Sequence, residues 1–134
     1  MTDEMGLSDV ELKVRKPRLR DAAQIHRLVT KSGVLDANSS YLYLLLCRDF
    51  RDTCLVLESD SDVCGFVTAY RPPTRPDVIF VWQIAVAESL RRRGQGLRLL
   101  NELISCPAVA SARYLEATVT ASNGTSRRLF RNFA

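Results

Sequence analysis

Residues 78–102 constrain this chain more than any other stretch. Val78-Ile79-Phe80-Val81-Trp82-Gln83-Ile84-Ala85-Val86 is rich in β-branched and aromatic residues over the length of one strand. Arg91-Arg92-Arg93-Gly94-Gln95-Gly96 follows as a basic, glycine-containing turn. Beyond it, Leu97, Leu100, Leu103 and Ile104 recur at helical spacing. A helix start carries free backbone N–H groups and the positive end of its dipole. Glycines let backbone approach a ligand without an intervening Cβ, and arginines beside them favour anions. The combination predicts a pyrophosphate cradle. It is not the nucleotide P-loop, because no Gly-Lys-Ser/Thr follows, and not the dinucleotide G-x-G-x-x-G, because the third glycine is absent.

The 134 residues suffice for one domain with a single core, and 46% hydrophobic with 25% charged residues is ordinary for a globular chain. No apolar run reaches membrane-spanning length, and the acidic, polar start Met1–Gly6 does not read as a signal peptide, so a cytoplasmic protein without membrane contact is expected. Net charge is +4, with basic clusters at Arg91–Arg93 and at Arg127, Arg128 and Arg131. They suit a polyanionic small molecule or a solvated surface; no aromatic-basic interleaving supports nucleic acid as a partner. Cys47, Cys54, Cys64 and Cys106 form no C-x-x-C, and His26 is the one histidine, so no metal site is expected and the cysteines read as buried free thiols.

Residues 1–12 read as a flexible leader and 13–134 as the domain. A first strand is expected over Leu12–Lys16. A first helix is capped by Asp21, buries Ala22, Ile25, Leu28 and Val29, and ends near Gly33. His26 lies beside that face as a surface or satisfied histidine. After the polar break 35–40, a second helix over Tyr41–Phe50 is apolar nearly all round, so it is either buried or faces a partner; a homodimer is one way to cover it. Thr53–Glu58 and Val63–Tyr70 form a hairpin across Ser59–Asp62. Residues 71–77 form a loop stiffened by three prolines. After the basic turn and its helix, Pro107 breaks the chain, Arg113–Thr120 is a strand, and Asn123 caps a last helix over Thr125–Phe133. The order is strand, helix, helix, hairpin, strand, helix, strand, helix, an α/β fold with a mixed sheet.

The pattern Arg91-x-x-Gly94-x-Gly96 after such a strand resembles the acetyl-coenzyme A signature of the GNAT (GCN5-related) N-acetyltransferases, and the element order is similar to that fold over almost the whole chain. The resemblance implies a mostly antiparallel mixed sheet flanked by helices. The family continues with two more strands, so a sheet lacking these is expected from a sequence that stops at Ala134. Four further stretches resemble one subfamily, the L-2,4-diaminobutyrate acetyltransferases of ectoine biosynthesis. They are Leu35-Asp36-x-Asn38-Ser39-x-Tyr41-x-Tyr43-Leu44-Leu45-Leu46-Cys47, Gly65-Phe66-Val67-x-x-Tyr70-Arg71-Pro72-Pro73-x-x-Pro76-Asp77, Phe80-Val81-Trp82-Gln83-x-Ala85-Val86 and Arg113-Tyr114-Leu115-Glu116-x-Thr118-Val119-Thr120.

The resemblance implies acetyl-CoA as co-substrate, held by the backbone of Ile84, Ala85 and Val86 and by Arg91, Arg92, Arg93, Gly94, Gln95, Gly96 and Leu97. It also implies a splay between the central strand and the 113–120 strand that admits the cofactor arm. Asn123 is either a helix cap or a neighbour of the pantetheine arm. The small-molecule amine is assigned to Asp36, Tyr41 and Trp82: a loop carboxylate binds an ammonium, and an indole covers it by cation–π contact. Trp82 serves equally as core packing, Asp36 as a turn residue and Tyr41 as a helix-packing residue. Glu116 is the candidate base if its side chain faces the cleft, which strand alternation leaves open without the register. The family often places a tyrosine acid on the last helix, where this chain has Phe130; Tyr41 is the alternative acid. Acetylation of another small amine, or a non-catalytic acyl-CoA-binding module, are the competing functions.

Overall fold

The computed structural model of the chain describes residues 11–33, 35, 38–91, 93–118 and 124–133. The elements run β1 (Lys13–Arg15), α1 (Ala22–Ser32), α2 (Ser40–Asp49), β2 (Leu55–Ser59), β3 (Asp62–Tyr70), β4 (Val78–Val86), α3 (Gln95–Ile104), α4 (Pro107–Ala110), β5 (Tyr114–Ala117) and α5 (Gly124–Phe133). The strands form one sheet in sequence order; β1 through β4 pair antiparallel and β4 with β5 parallel. The expected mixed, mostly antiparallel α/β sheet is the observed one.

Each face of the sheet has its own core. On one side Ile79, Val81 and Ile84 of β4 pack with Leu99, Leu100 and Leu103 of α3 and Val109 of α4, and Leu129, Phe130 and Phe133 of α5 close over them. On the other, Ile25 and Val29 of α1 and Tyr43, Leu46 and Cys47 of α2 cover Val56 and Phe66. At about 25 cal/mol per Å² of apolar surface removed from water, these layers are the main stabilising term.

Several local expectations need correction. Asp21 does not cap α1 with its side chain: it ends a 3-10 turn over Leu19–Asp21, and its carboxylate accepts from the Arg18 N–H at 2.6 Å and from Arg15 Nη1 at 2.8 Å. The ion pair with the half-buried Arg15 guanidinium outcompetes local capping. Of the two alternatives for the second helix, burial all round is not met: Tyr41 and Leu44 are exposed, as is Phe50 just after it, because the helix turns Tyr43, Leu46 and Cys47, with Leu42 beside them, towards the sheet. On α3, Leu99 is buried and Ile104 is exposed, which shifts the inward face by one position. Pro107 does not merely break the chain; it starts the single-turn helix α4 at its first position, where its missing N–H costs nothing. Strand β5 is described from Tyr114 to Ala117, and Val119 and Thr120 lie outside the described residues.

The four thiols are free, with Cys47 and Cys54 buried and Cys64 and Cys106 half-buried. Burial pushes the Cys47 and Cys54 thiols up to about 12, so none is poised as a nucleophile. His26 meets Tyr43 with ring centroids 5.5 Å apart and planes tilted by 42°. Among the described residues no group could hold a metal ion and no helix is long and apolar enough to cross a membrane.

Candidate active site

The centre of β4 carries a bulge. Thr68 of β3 pairs with Gln83 and Ala69 pairs with Val81, so Trp82 has no opposite number. An extra residue in one strand resets the side-chain alternation beyond it. Ile79 and Val81 before the bulge and Ile84 after it therefore all face the α3 core, while Ala85 packs towards α1 and α2. Gln83 is pulled into the interior, where its Oε1 accepts from the hydroxyl of fully buried Tyr43 at 2.9 Å. Trp82 itself is 40% exposed. Core packing is thereby excluded as its main role. The strand is apolar almost throughout, so neither the bulge nor the Tyr43–Gln83 bond has a signal in the sequence.

After Val81, β4 has no parallel neighbour among the described residues. The described β4–β5 pairing runs from Val78↔Tyr114 to Val81↔Ala117 and stops there, whereas β3 continues to pair with Gln83, Ile84, Ala85 and Val86. In an antiparallel ladder alternate residues aim N–H and C=O away from the partner. The Gln83–Val86 edge thus presents backbone donors and acceptors, among the described residues, where β5 no longer covers them.

The strand leads through a 3-10 turn (Glu88–Leu90), anchored by buried Leu90, to the basic turn. Gly94 takes φ +75°, a left-handed conformation that glycine adopts without strain, and a Cβ there would meet nothing within 4 Å. It is the N-cap of α3, and the first intrahelical bond runs from the Arg98 N–H to the Gly94 carbonyl at 3.0 Å. The N–H groups of Gln95, Gly96 and Leu97 precede it and have no intrahelical acceptor. Arg91 and Arg93 are exposed beside them, and Arg98 is engaged by Glu102 at 3.0 Å. The two glycines differ: the Cβ direction of Gly96 is taken by Leu129 Cδ2 at 3.2 Å, so Gly96 lets α5 pack against α3. Open space, free donors and two cations on a rigid helix end fit a pyrophosphate.

An aromatic row lies on the sheet face opposite α3. Phe50 meets Tyr70 at 6.1 Å, Tyr70 meets Phe80 at 5.7 Å and Phe80 meets Trp82 at 6.3 Å between ring centroids. The register settles the orientation of Glu116. Leu115 and Ala117 pack on the α3 core, so Glu116, opposite Phe80, projects towards the aromatic row. Its Oε2 accepts from Arg75 Nη1 at 2.9 Å. Tyr41 stands 62% exposed on α2, and the ring contacts of the row do not include it. Phe130 is half-buried in the α5 packing. Asp36, Arg92 and Asn123 lie outside the described residues. Sequence reasoning passed over Phe80, Tyr70 and Arg75, which read there as strand and loop residues.

A bulged central strand, its Gln83–Val86 edge uncovered among the described residues, feeds a glycine-arginine helix start, an arrangement that suits an acyl-CoA-dependent transferase. The chain belongs to the acetyltransferase (GNAT) family, whose model matches residues 19–134. It is similar to the L-2,4-diaminobutyric acid acetyltransferases of Shouchella clausii, 49% identical over 92% of this chain and 68% of that protein, and of Halalkalibacterium halodurans, 45% identical over 94% and 66%. The chain thus spans about two thirds of the length of these relatives. Among solved structures it is similar to the diaminobutyrate acetyltransferase EctA from Paenibacillus lautus, in complex with its substrate L-2,4-diaminobutyric acid and coenzyme A, at TM-score 0.90 and 42% identity, covering 92% of this chain and 75% of that one. Ard1 from Thermoplasma volcanium, at TM-score 0.80 and 19% identity, shares the fold.

Proposed function

We propose that the chain transfers the acetyl group of acetyl-CoA to the 4-amino group of L-2,4-diaminobutyrate, a step of ectoine biosynthesis, in the cytoplasm. The single observation that carries this is the 42% identity and TM-score of 0.90 to an enzyme solved with that amine and coenzyme A. A second copy covering exposed Leu44 of α2 is the assembly we propose.

Acetyl-CoA supplies an activated thioester carbonyl. We assign its diphosphate to the N–H groups of Gln95, Gly96 and Leu97 at the Gly94 turn, with Arg91 and Arg93 beside them and Arg92 added from the family resemblance. We assign the amides of the pantetheine arm to the backbone edge Ile84–Val86, and to Asn123 from the sequence alone. The same edge can donate an N–H to the carbonyl oxygen as negative charge develops on it. The amine must first lose a proton: with a pKa of about 10.4, exposing the free base near neutral pH costs roughly 4 kcal/mol. Glu116, on the aromatic side of the sheet, is the carboxylate we assign to receive that proton, directly or through water. Trp82 covers the ammonium, with Asp36 and Tyr41 completing the amine site. Phe130 has no proton to give, so the thiolate leaves with protonation by water or by Tyr41.

The test is release of free CoA from acetyl-CoA with a panel of 2,4-diaminobutyrate, ornithine, lysine and a polyamine. A preference for diaminobutyrate is expected. Preferred turnover of another amine would discard the substrate assignment, and silence on every amine with acetyl-CoA still bound would make the chain a binding module.

A further inference from the structure

The 71–77 loop holds the Arg75 side chain against Glu116 with more rigidity than a surface loop needs. Pro72, Pro73 and Pro76 restrict its backbone. The Arg75 N–H donates to the Pro72 carbonyl at 3.0 Å, and the Val78 N–H donates to the Arg75 carbonyl at 3.1 Å. The Asp77 carbonyl accepts from the N–H groups of Arg113 at 2.8 Å and Tyr114 at 3.1 Å, which ties the loop to the start of β5. Arg71 fastens its other end, donating to the carbonyls of Ala108, at 2.7 Å, and Pro76. The product of this framework is Arg75, about half exposed and paired with Glu116. Ion pairs this exposed add little to stability, so the framework is not explained by the pair's contribution to folding.

The position of the pair suggests its use. Glu116 is in register with Phe80, whose ring contacts both Tyr70 and Trp82, so guanidinium and carboxylate sit side by side at the edge of the aromatic row. The recorded bond uses one guanidinium nitrogen and one carboxylate oxygen. Among the described residues the remaining N–H donors of the guanidinium and the second carboxylate oxygen make no further bond, which leaves them for a zwitterion laid along the pair, and guanidinium is the side chain whose fork matches a carboxylate. We infer that Arg75 determines specificity for amino-acid amines: it takes the α-carboxylate of the substrate while the ammonium lies on Glu116. A diamine without a carboxylate would leave Arg75 without that contact.

This inference rests on the acetyltransferase reading above. It is tested by steady-state kinetics of the whole chain and its Arg75→Gln and Arg75→Lys variants, with thermal unfolding confirming that each is folded. Losing a charge-assisted contact to a carboxylate is expected to raise KM for diaminobutyrate roughly ten- to hundredfold in Arg75→Gln, with KM for acetyl-CoA moved by less than about threefold. Arg75→Lys is expected to recover part of the loss. In the wild type, 1,3-diaminopropane, which lacks the carboxylate, is expected to compete with diaminobutyrate at least about tenfold more weakly than its KM. A diaminobutyrate KM unchanged in Arg75→Gln, or both KM values raised together as a loosened fold would do, would overturn the assignment. If the wild type itself fails to turn over diaminobutyrate, the substrate reading has failed; turnover by the wild type with an indifferent Arg75→Gln removes only the role of Arg75.

Discussion

Among the described residues Asp21 is the one buried charged side chain, and its environment decides how the protein answers to acid. Burial pushes its carboxyl up; the Arg15 guanidinium and the Arg18 N–H outweigh that and hold it below the usual carboxylate value. Arg15 also binds Glu58, so one guanidinium joins β1, the turn before α1 and β2. A carboxyl whose folded pKa is depressed contributes stability that is complete above its unfolded value, about 3.9, and is lost as pH falls through the lower folded value. Urea unfolding of Asp21→Asn is therefore expected to show a loss of about 3 kcal/mol at pH 7, since Arg15 is left partly uncompensated. The gap from the wild type should narrow as pH is lowered below about 4; a constant gap would assign the loss to packing alone. The sequence marks Asp21 only as an acidic residue before a helix, because its partners Arg15 and Glu58 are brought to it by the sheet.

At the scale of elements, the β2–β3 hairpin shows local sequence and local geometry in partial conflict. Asp60 and Ser61 both have positive φ, 49° and 72°, the pattern of a two-residue turn that matches strand twist and favours Asn-Gly. Replacing Asp60-Ser61 by Asn-Gly is expected to raise stability by about 0.5–1 kcal/mol, read as a higher midpoint in urea; an unchanged or lower midpoint would mean the turn carries no strain. The hairpin was legible because Ser59–Asp62 separates two β-rich runs. The strand-turn-helix at 78–102 was legible for the same reason, a change of hydrophobic period with glycines between. The bulge at Trp82 was not: it depends on which β3 residue faces which β4 residue, and the alternation it breaks is short. Glu116 shows the same limit. Its face was open from the sequence and follows at once from the parallel register that places it beside Phe80.

At the scale of the whole molecule, α3 joins the cofactor cradle to the core. Its N-terminus is the proposed diphosphate site, while Leu99, Leu100 and Leu103 further along are fully buried between the sheet and its neighbours. A ligand seated on that end therefore acts on an element whose loss would unfold the domain, and binding to the folded state alone must raise global stability. At a hundred times its dissociation constant, coenzyme A is expected to add about 2.7 kcal/mol, which for a chain of this length is a rise of about 10 °C in melting temperature. Gly94→Glu separates the cradle from the fold. A Cβ at this φ of +75° would meet nothing within 4 Å, so the cost to the free protein is mainly backbone strain of about 1–2 kcal/mol. The new carboxylate, however, stands where the diphosphate charge would lie. Thermal melts of this variant should show a midpoint a few degrees below the wild type and no rise with coenzyme A. A full rise would place the cofactor elsewhere, and a collapsed melt without ligand would mean that Gly94 holds the fold itself rather than an open site at its edge.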